Sequence, residues 1–155
     1  MSTSSVAQKT LDDLLNQYNT RSIPYISVAE LKMQMTTGDV KVLDAREYEE
    51  FEVSHLPTAI FVGYSNFSSE EVTTSLPNKE QPIVVYCSLG IRSEEIGEKL
   101  KKAGYTQVKN LYGGIFEWKN NDYEVVDMTG AESEQVHTCS KAWGKWLTKG
   151  NKVYE

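Results

Sequence analysis

The run Ile83-Val84-Val85-Tyr86-Cys87-Ser88-Leu89-Gly90-Ile91-Arg92-Ser93 constrains this chain more than any other stretch. Its first four residues follow Pro82, are mostly β-branched and have the length of a buried strand. One cysteine, a short loop holding a glycine, and Arg92 come next. From Ser93 the pattern turns helical, with Ile96, Leu100 and Ala103 on one face and Gly104 as a helix-ending glycine. A buried strand, a tight loop and a helix start together make a small anion pocket. Successive loop N–H groups can converge on one point there, and the helix N-terminus adds partial positive charge. A thiol at that point is held as thiolate, so Cys87 reads as a nucleophile, with Ser88, Leu89, Gly90, Ile91, Arg92 and Ser93 as its cradle. On spacing alone, a cysteine that ends a buried strand has an equal claim to be structural.

The remaining elements are arranged around that run. Leu11, Leu14, Leu15 and Tyr18 fall at helical spacing, so Thr10–Tyr18 reads as a short amphipathic helix behind a disordered polar start, Met1–Ser5. Tyr25–Ser27 is a short strand, and Ser27 with Glu30 forms a capping-box pattern for a helix ending near Gly38. Val40–Ala45 is a buried strand with Asp44 at its C-terminal end. Arg46–Phe51 reads as one or two helical turns, Ala59–Gly63 as a third strand, and Ser68–Leu76 as a helix capped by Ser68 or Ser69. Asn78–Gln81 is a surface turn. Val108–Leu111 is the last strand, and Gly113-Gly114 opens a short helix carrying Phe116 and Trp118. Strands alternating with helices predict an α/β domain with a mainly parallel sheet, whose ligands bind at the carboxyl ends of strands. Asp44 and Cys87 both fall at such ends.

Residues 125–155 differ in character, with His137, Cys139, Trp143, Trp146 and Tyr154 set among basic residues. Trp143 and Trp146 suggest a helix docking back on the domain, and packing outweighs a second functional site. The chain thus divides into a helical N-terminal extension (1–24), a central α/β domain (25–126) and a C-terminal extension that packs on it (127–155).

A length of 155 residues suits one domain with a real core, and apolar and charged contents of 39% and 25% are ordinary for a soluble protein. A formal net charge of −6 gives a nucleic-acid role no electrostatic support. No apolar run approaches membrane-spanning length, and the N-terminus lacks the apolar core of a secretory signal. Two cysteines and two histidines without ligand spacing argue against a metal site, and no cofactor is expected. Two cysteines are too few for a disulfide scaffold, so a reducing, cytoplasmic setting fits best; counting leaves a Cys87–Cys139 disulfide open.

Three motifs carry a resemblance: Asp44-Ala45-Arg46 with Glu50 ahead of His55-Leu56-Pro57; Cys87 to Ser93; and Leu111-Tyr112-Gly113-Gly114 followed by Trp118. In this order, over about Ser27–Val126, they resemble a single-domain rhodanese-like sulfurtransferase. Two departures stand out, since family members usually have glycine before the histidine and after the proline, where this chain has Ser54 and Thr58. The resemblance implies the family's open, mainly parallel five-stranded sheet flanked by helices. It also implies a sulfurtransferase that takes sulfane sulfur from a donor such as thiosulfate onto Cys87 as a persulfide. Cyanide, a cellular thiol or a protein thiol then removes the sulfur. Four residues separate Cys87 from Arg92, one fewer than in relatives resembling phosphatases and arsenate reductases, and the shorter loop favours a single sulfur atom over a tetrahedral oxyanion.

Thiosulfate is a dianion meeting an acidic protein, so local charge must outweigh the global field. Arg92 is the first candidate and Arg46 the second, although a surface pair of Arg46 with Glu50 is the plainer reading. Asp44 is expected to brace the loop rather than act as acid or base, His55 to be a hydrogen-bonded turn residue, and Trp118 to be core. Cys139 could resolve the Cys87 persulfide, but buried packing is the favoured reading. The rival function is a non-turnover sulfur carrier whose persulfide serves one protein partner.

Overall fold

The computed structural model describes residues 10–154; the expected disordered start, Met1–Ser5, lies outside them. In chain order the elements are α1 (Leu11–Tyr18), β1 (Tyr25–Ile26), α2 (Val28–Thr37), β2 (Lys41–Asp44), α3 (Tyr48–Val53), β3 (Ile60–Phe61), α4 (Ser69–Ser75) and β4 (Ile83–Tyr86). Then follow α5 (Ile91–Lys102), β5 (Val108–Leu111), α6 (Gly114–Asn120), β6 (Val125–Val126), β7 (Glu132–Ser133), β8 (Gln135–His137), α7 (Lys141–Gly144) and β9 (Asn151–Val153). Five strands form one sheet in the order β1-β5-β4-β2-β3, and every pairing in it is parallel.

The apolar run of β4 follows from its central place. Val84 and Tyr86 belong to a core shared with α1, α2, α6 and the C-terminal segment, whereas Ile83 and Val85 belong to a second core with α4 and α5. Alternate side chains point to opposite faces, and both faces are covered, so no position of β4 can be polar without a partner. Leu43 of β2 is likewise fully buried, and truncating such a side chain to alanine costs about 2–5 kcal/mol.

Helix starts follow local chemistry. Ser27 Oγ accepts from Glu30 N while the Glu30 carboxylate accepts from Ser27 N, and Gly38 ends that helix at φ +80°. Thr10 and Asp13 form the same reciprocal cap on α1. One boundary departs from expectation: α5 starts at Ile91 rather than Ser93, so Arg92 stands in its first turn. Gly90, at φ +126°, supplies the turn, a conformation that a side chain would strain.

Register brings Asp44 of β2 opposite Tyr86 of β4, so Asp44, Cys87 and the Leu111–Gly114 turn share the carboxyl edge of the sheet. Beyond β6 the chain forms two small two-stranded sheets, β6-β7 and β8-β9, and the four-residue α7, whose Trp143 packs against the first core. Val136 and Leu147 from this segment are buried in the first core.

Candidate active site

The Cys87 loop is supported from three sides. From below, α6 begins against it: Ile115 N donates to Cys87 O (3.0 Å) and Phe116 N to Ser88 O (3.1 Å). Only glycine permits this approach, since a Cβ on Gly114 would lie 2.4 Å from Cys87 O. From β5, the fully buried Asn110 donates to Gly90 O (2.9 Å) and accepts from Ser93 Oγ (2.6 Å). From the residue ending α1, Asn19 also donates to Gly90 O (2.9 Å). Neither asparagine was singled out in the sequence. A polar residue in the inner part of a strand was the available signal for Asn110, because a buried amide needs partners.

Cys87 is 2% exposed, and its Sγ accepts from Gly90 N at 3.2 Å, at the N-terminus of α5. Ser93 Oγ lies 3.4 Å from the sulfur, but its single proton is directed to Asn110 at the shorter distance. An amide and a helix N-terminus thus face one sulfur.

Arg92 stands at the rim, and its charge is already engaged. Its Nη1 and Nη2 lie 2.8 and 2.9 Å from the two carboxylate oxygens of Glu50, and Nη2 also reaches Ser88 Oγ (3.0 Å). Burial pushes the Glu50 carboxyl up, but the hydrogen bonds and charge of Arg92 outweigh this and hold it below the usual carboxylate range. Arg46 differs from its expected surface pairing with Glu50. It is wholly buried, binds Asp44 through Nε and Nη2 (2.7 Å at the closest), and donates to Ser54 O (2.7 Å). Asp44 also accepts from Tyr86 Oη (2.5 Å). Asp44 and Arg46 therefore brace the ends of β2 and β4 rather than touching the loop.

The two departures near His55 have different consequences. Ser54 is extended, at φ −170°, and needs no glycine; its Oγ donates to Gln135 O (2.6 Å), tying this turn to β8. Thr58 takes φ +66°, the left-handed conformation that a glycine would hold without strain. His55 is a turn residue, with Nδ1 2.9 Å from Phe51 O and its ring stacked on Phe51 at 3.8 Å. Trp118 is core, as expected.

Above Cys87 lies a cavity of about 130 Å³ lined by Cys87, Ser88, Leu89, Ile91, Arg92, Cys139 and Trp143. A larger cleft of about 710 Å³ opens by β3 and α4, but its lining holds carboxylates and no cysteine, histidine or cation. The smaller cavity is the one that holds the cysteine and arginine singled out in the sequence. The C-terminal segment packs on the domain through Val136, Leu147 and Trp143, but the buried reading of Cys139 is corrected: the thiol is exposed, is not in a disulfide, and lines the same cavity as Cys87. The reason is local. Cys139 has φ +70°, and its N–H donates to His137 Nδ1 (3.0 Å), which turns the chain outward between β8 and α7. Burial, with the charge of Glu50 next, pushes the Cys139 thiol up. Among the described residues no cluster suits a metal ion and no helix is long and apolar enough to cross a membrane.

Comparison with known proteins agrees with this geometry. The chain is 34% identical over 103 residues to a tRNA uridine(34) hydroxylase of Listeria welshimeri, covering 63% of this chain and 32% of that protein. It is 31% identical over 101 residues to YrkF of Bacillus subtilis, named as a candidate sulfur carrier, covering 64% and 53%. The chain thus spans about a third to a half of the length of these relatives. Among solved structures, the BH2092 protein of Bacillus halodurans superposes with a TM-score of 0.63 at 26% identity, covering 78% of this chain and 89% of that one. A thiosulfate sulfurtransferase of Pseudomonas aeruginosa shares the fold, with a TM-score of 0.64 at 21% identity over 82% of this chain and 24% of that one. Residues 27–121, which hold the bracing Asp44–Arg46 pair, the cysteine loop and the glycine turn beneath it, match the rhodanese-like domain, and the chain belongs to that family.

Proposed function

We propose that this protein transfers sulfane sulfur through a persulfide on Cys87, with thiosulfate as a small-molecule donor. The observation that carries the reading is the sulfur of Cys87 at the floor of a small cavity, facing the Gly90 amide. The Cys87 thiolate attacks the outer sulfur of thiosulfate; a new S–S bond forms, the bond to the sulfonate sulfur breaks, and sulfite leaves with the electron pair. Cyanide or a thiol then attacks the outer sulfur of the persulfide, and the Cys87 thiolate is restored. The thiolate and the persulfide are both anionic, so one set of donors serves both half-reactions. This chemistry suits a reducing, cytoplasmic setting, where thiols are the acceptors at hand.

One observation favours a second reading, the sulfur carrier. Glu50 neutralises Arg92, which removes much of the attraction that a dianionic donor would feel. Steady-state thiosulfate:cyanide turnover decides between them. Sustained thiocyanate formation supports the enzyme, and a stable persulfide formed without turnover supports the carrier. Absence of both turnover and persulfide would overturn the two readings together.

A further inference from the structure

Cys87 lines a cavity of about 130 Å³, close to the roughly 150 Å³ that holds one benzene ring. That space admits a single added sulfur or a cyanide ion. Thiosulfate and cyanide suit a space of that size better than the backbone of a protein thiol does, which favours loading Cys87 over unloading it directly. The cavity has a second thiol in its lining. Cys139 is exposed to solvent on one side and lines the cavity on the other, held outward by the bond from its N–H to His137 Nδ1. Trp143 closes the wall beside it and stacks edge-on against Tyr18 of α1, with ring centroids 6.4 Å apart.

The geometry points to Cys139 as an internal acceptor that carries the sulfur from the buried Cys87 to the surface, where a thiol of a partner protein or a peptide takes it. This rests on the persulfide reading above. In the transfer, the Cys139 thiol proton moves to the outer sulfur of the Cys87 persulfide, and the Cys139 thiolate attacks that sulfur. An S–S bond forms to Cys139 while the S–S bond to Cys87 breaks. The electron pair stays on Cys87, whose sulfur faces Gly90 N–H. The acceptor thiol then repeats the exchange at Cys139, and no oxidant or reductant is consumed. Attack on the outer rather than the inner sulfur follows from burial, since the Cys87 sulfur itself is enclosed and the added sulfur projects into the cavity.

The test is to charge the full chain with thiosulfate labelled in its sulfane sulfur, alkylate, digest and map the label by mass. The expected result is label on both the Cys87 and the Cys139 peptides of the native chain, on the Cys87 peptide alone in Cys139→Ser, and on neither in Cys87→Ser. Cys139→Ser should also lose at least about tenfold in sulfur delivery to glutathione, with a smaller loss toward cyanide, which enters the cavity. Equal losses with both acceptors would reveal a structural role and overturn the relay. Label confined to Cys87 in a fully charged native chain overturns it, as does label on Cys139 in Cys87→Ser. A Cys87–Cys139 disulfide formed with release of sulfide would also reject it. Label on neither cysteine of the native chain removes the Cys87 persulfide itself, and the relay with it. Should Cys139→Ser fail to fold, the map of the native chain still decides.

Discussion

The two walls of the Cys87 cavity are built differently. The loop wall, Cys87 to Arg92, is clamped by the start of α6, by Asn110 and by Asn19, and sits at the carboxyl edge of a five-stranded parallel sheet. The facing wall, Cys139 and Trp143, rests on the shorter elements β8, β9 and α7, anchored by Val136 and Leu147 in the first core and by hydrogen bonds such as Ser54 to Gln135, Asn120 to Trp146 and Cys139 to His137. A nucleophile needs a fixed sulfur and fixed donors, which only a framework supplies. A wall that passes sulfur outward needs access, and local stability is lowest where backbone and side chains are least buried. The frameworks behind the two walls are joined at Arg46, which binds Asp44 of β2 on one side and the carbonyl of Ser54, the residue tied to β8, on the other.

Changes on each wall should separate these roles. The largest effect belongs to Cys87→Ser, which removes the nucleophile and leaves the clamps in place. Sulfur transfer should fall by at least about a thousandfold while the melting temperature moves little. Substantial turnover in folded Cys87→Ser protein would sink the mechanism. Next is Asp44→Asn, which leaves the Arg46 guanidinium buried without its carboxylate at the joint between β2 and the Ser54 turn. A loss of about 3–5 kcal/mol in urea unfolding is expected, and a loss under about 1 kcal/mol would show that Arg46 is held by other groups.

Glu50→Gln alters the charge of the loop wall without emptying it. Releasing Arg92 should lower KM for thiosulfate by about three- to tenfold, with little change for a neutral persulfide donor. Added salt should shrink the gain, because Arg92 is partly exposed. An unchanged KM would make Arg92 a clamp on Ser88 rather than a donor contact. On the facing wall, His137 accepts from Cys139 N–H and must be neutral to do so, and burial depresses its pKa below the ordinary value of 6.5. A depressed histidine contributes stability that is present above the ordinary value and lost as pH falls from there through the lower folded value. Protection of the Cys139 amide from hydrogen exchange should decline over that window, by about 1 kcal/mol for one hydrogen bond, while the Cys87 loop amides keep theirs. A pH-independent Cys139 amide would contradict this. The smallest effect is expected for Thr58→Gly, which relaxes a left-handed residue in the turn between α3 and β3 and should raise stability by about 0.5–1 kcal/mol. Destabilisation would mean that the Thr58 side chain makes a contribution larger than its strain.

The loop wall was legible because its determinants are local. The β4 run, the single cysteine, the glycine and the helix spacing lie within one stretch, and the capping box at Ser27 falls where the sequence puts it. What the sequence could not supply were pairings between distant residues. By sequence Glu50 is the neighbour of Arg46, but Arg46 is buried against Asp44 and Glu50 pairs with Arg92, 42 residues away. Cys139 was misread because its position rests on a positive φ and one histidine contact, neither of which leaves a periodic trace. A cysteine is more often packed than presented, and here the backbone turns it outward.

The account stands or falls on the Cys87 sulfur, and the most direct measurement is the intact mass of the full chain before and after thiosulfate, under non-reducing conditions. It predicts the added mass of a sulfur atom in the native chain, removed by cyanide and absent in Cys87→Ser. An unchanged native mass, or the same adduct on Cys87→Ser, would contradict it.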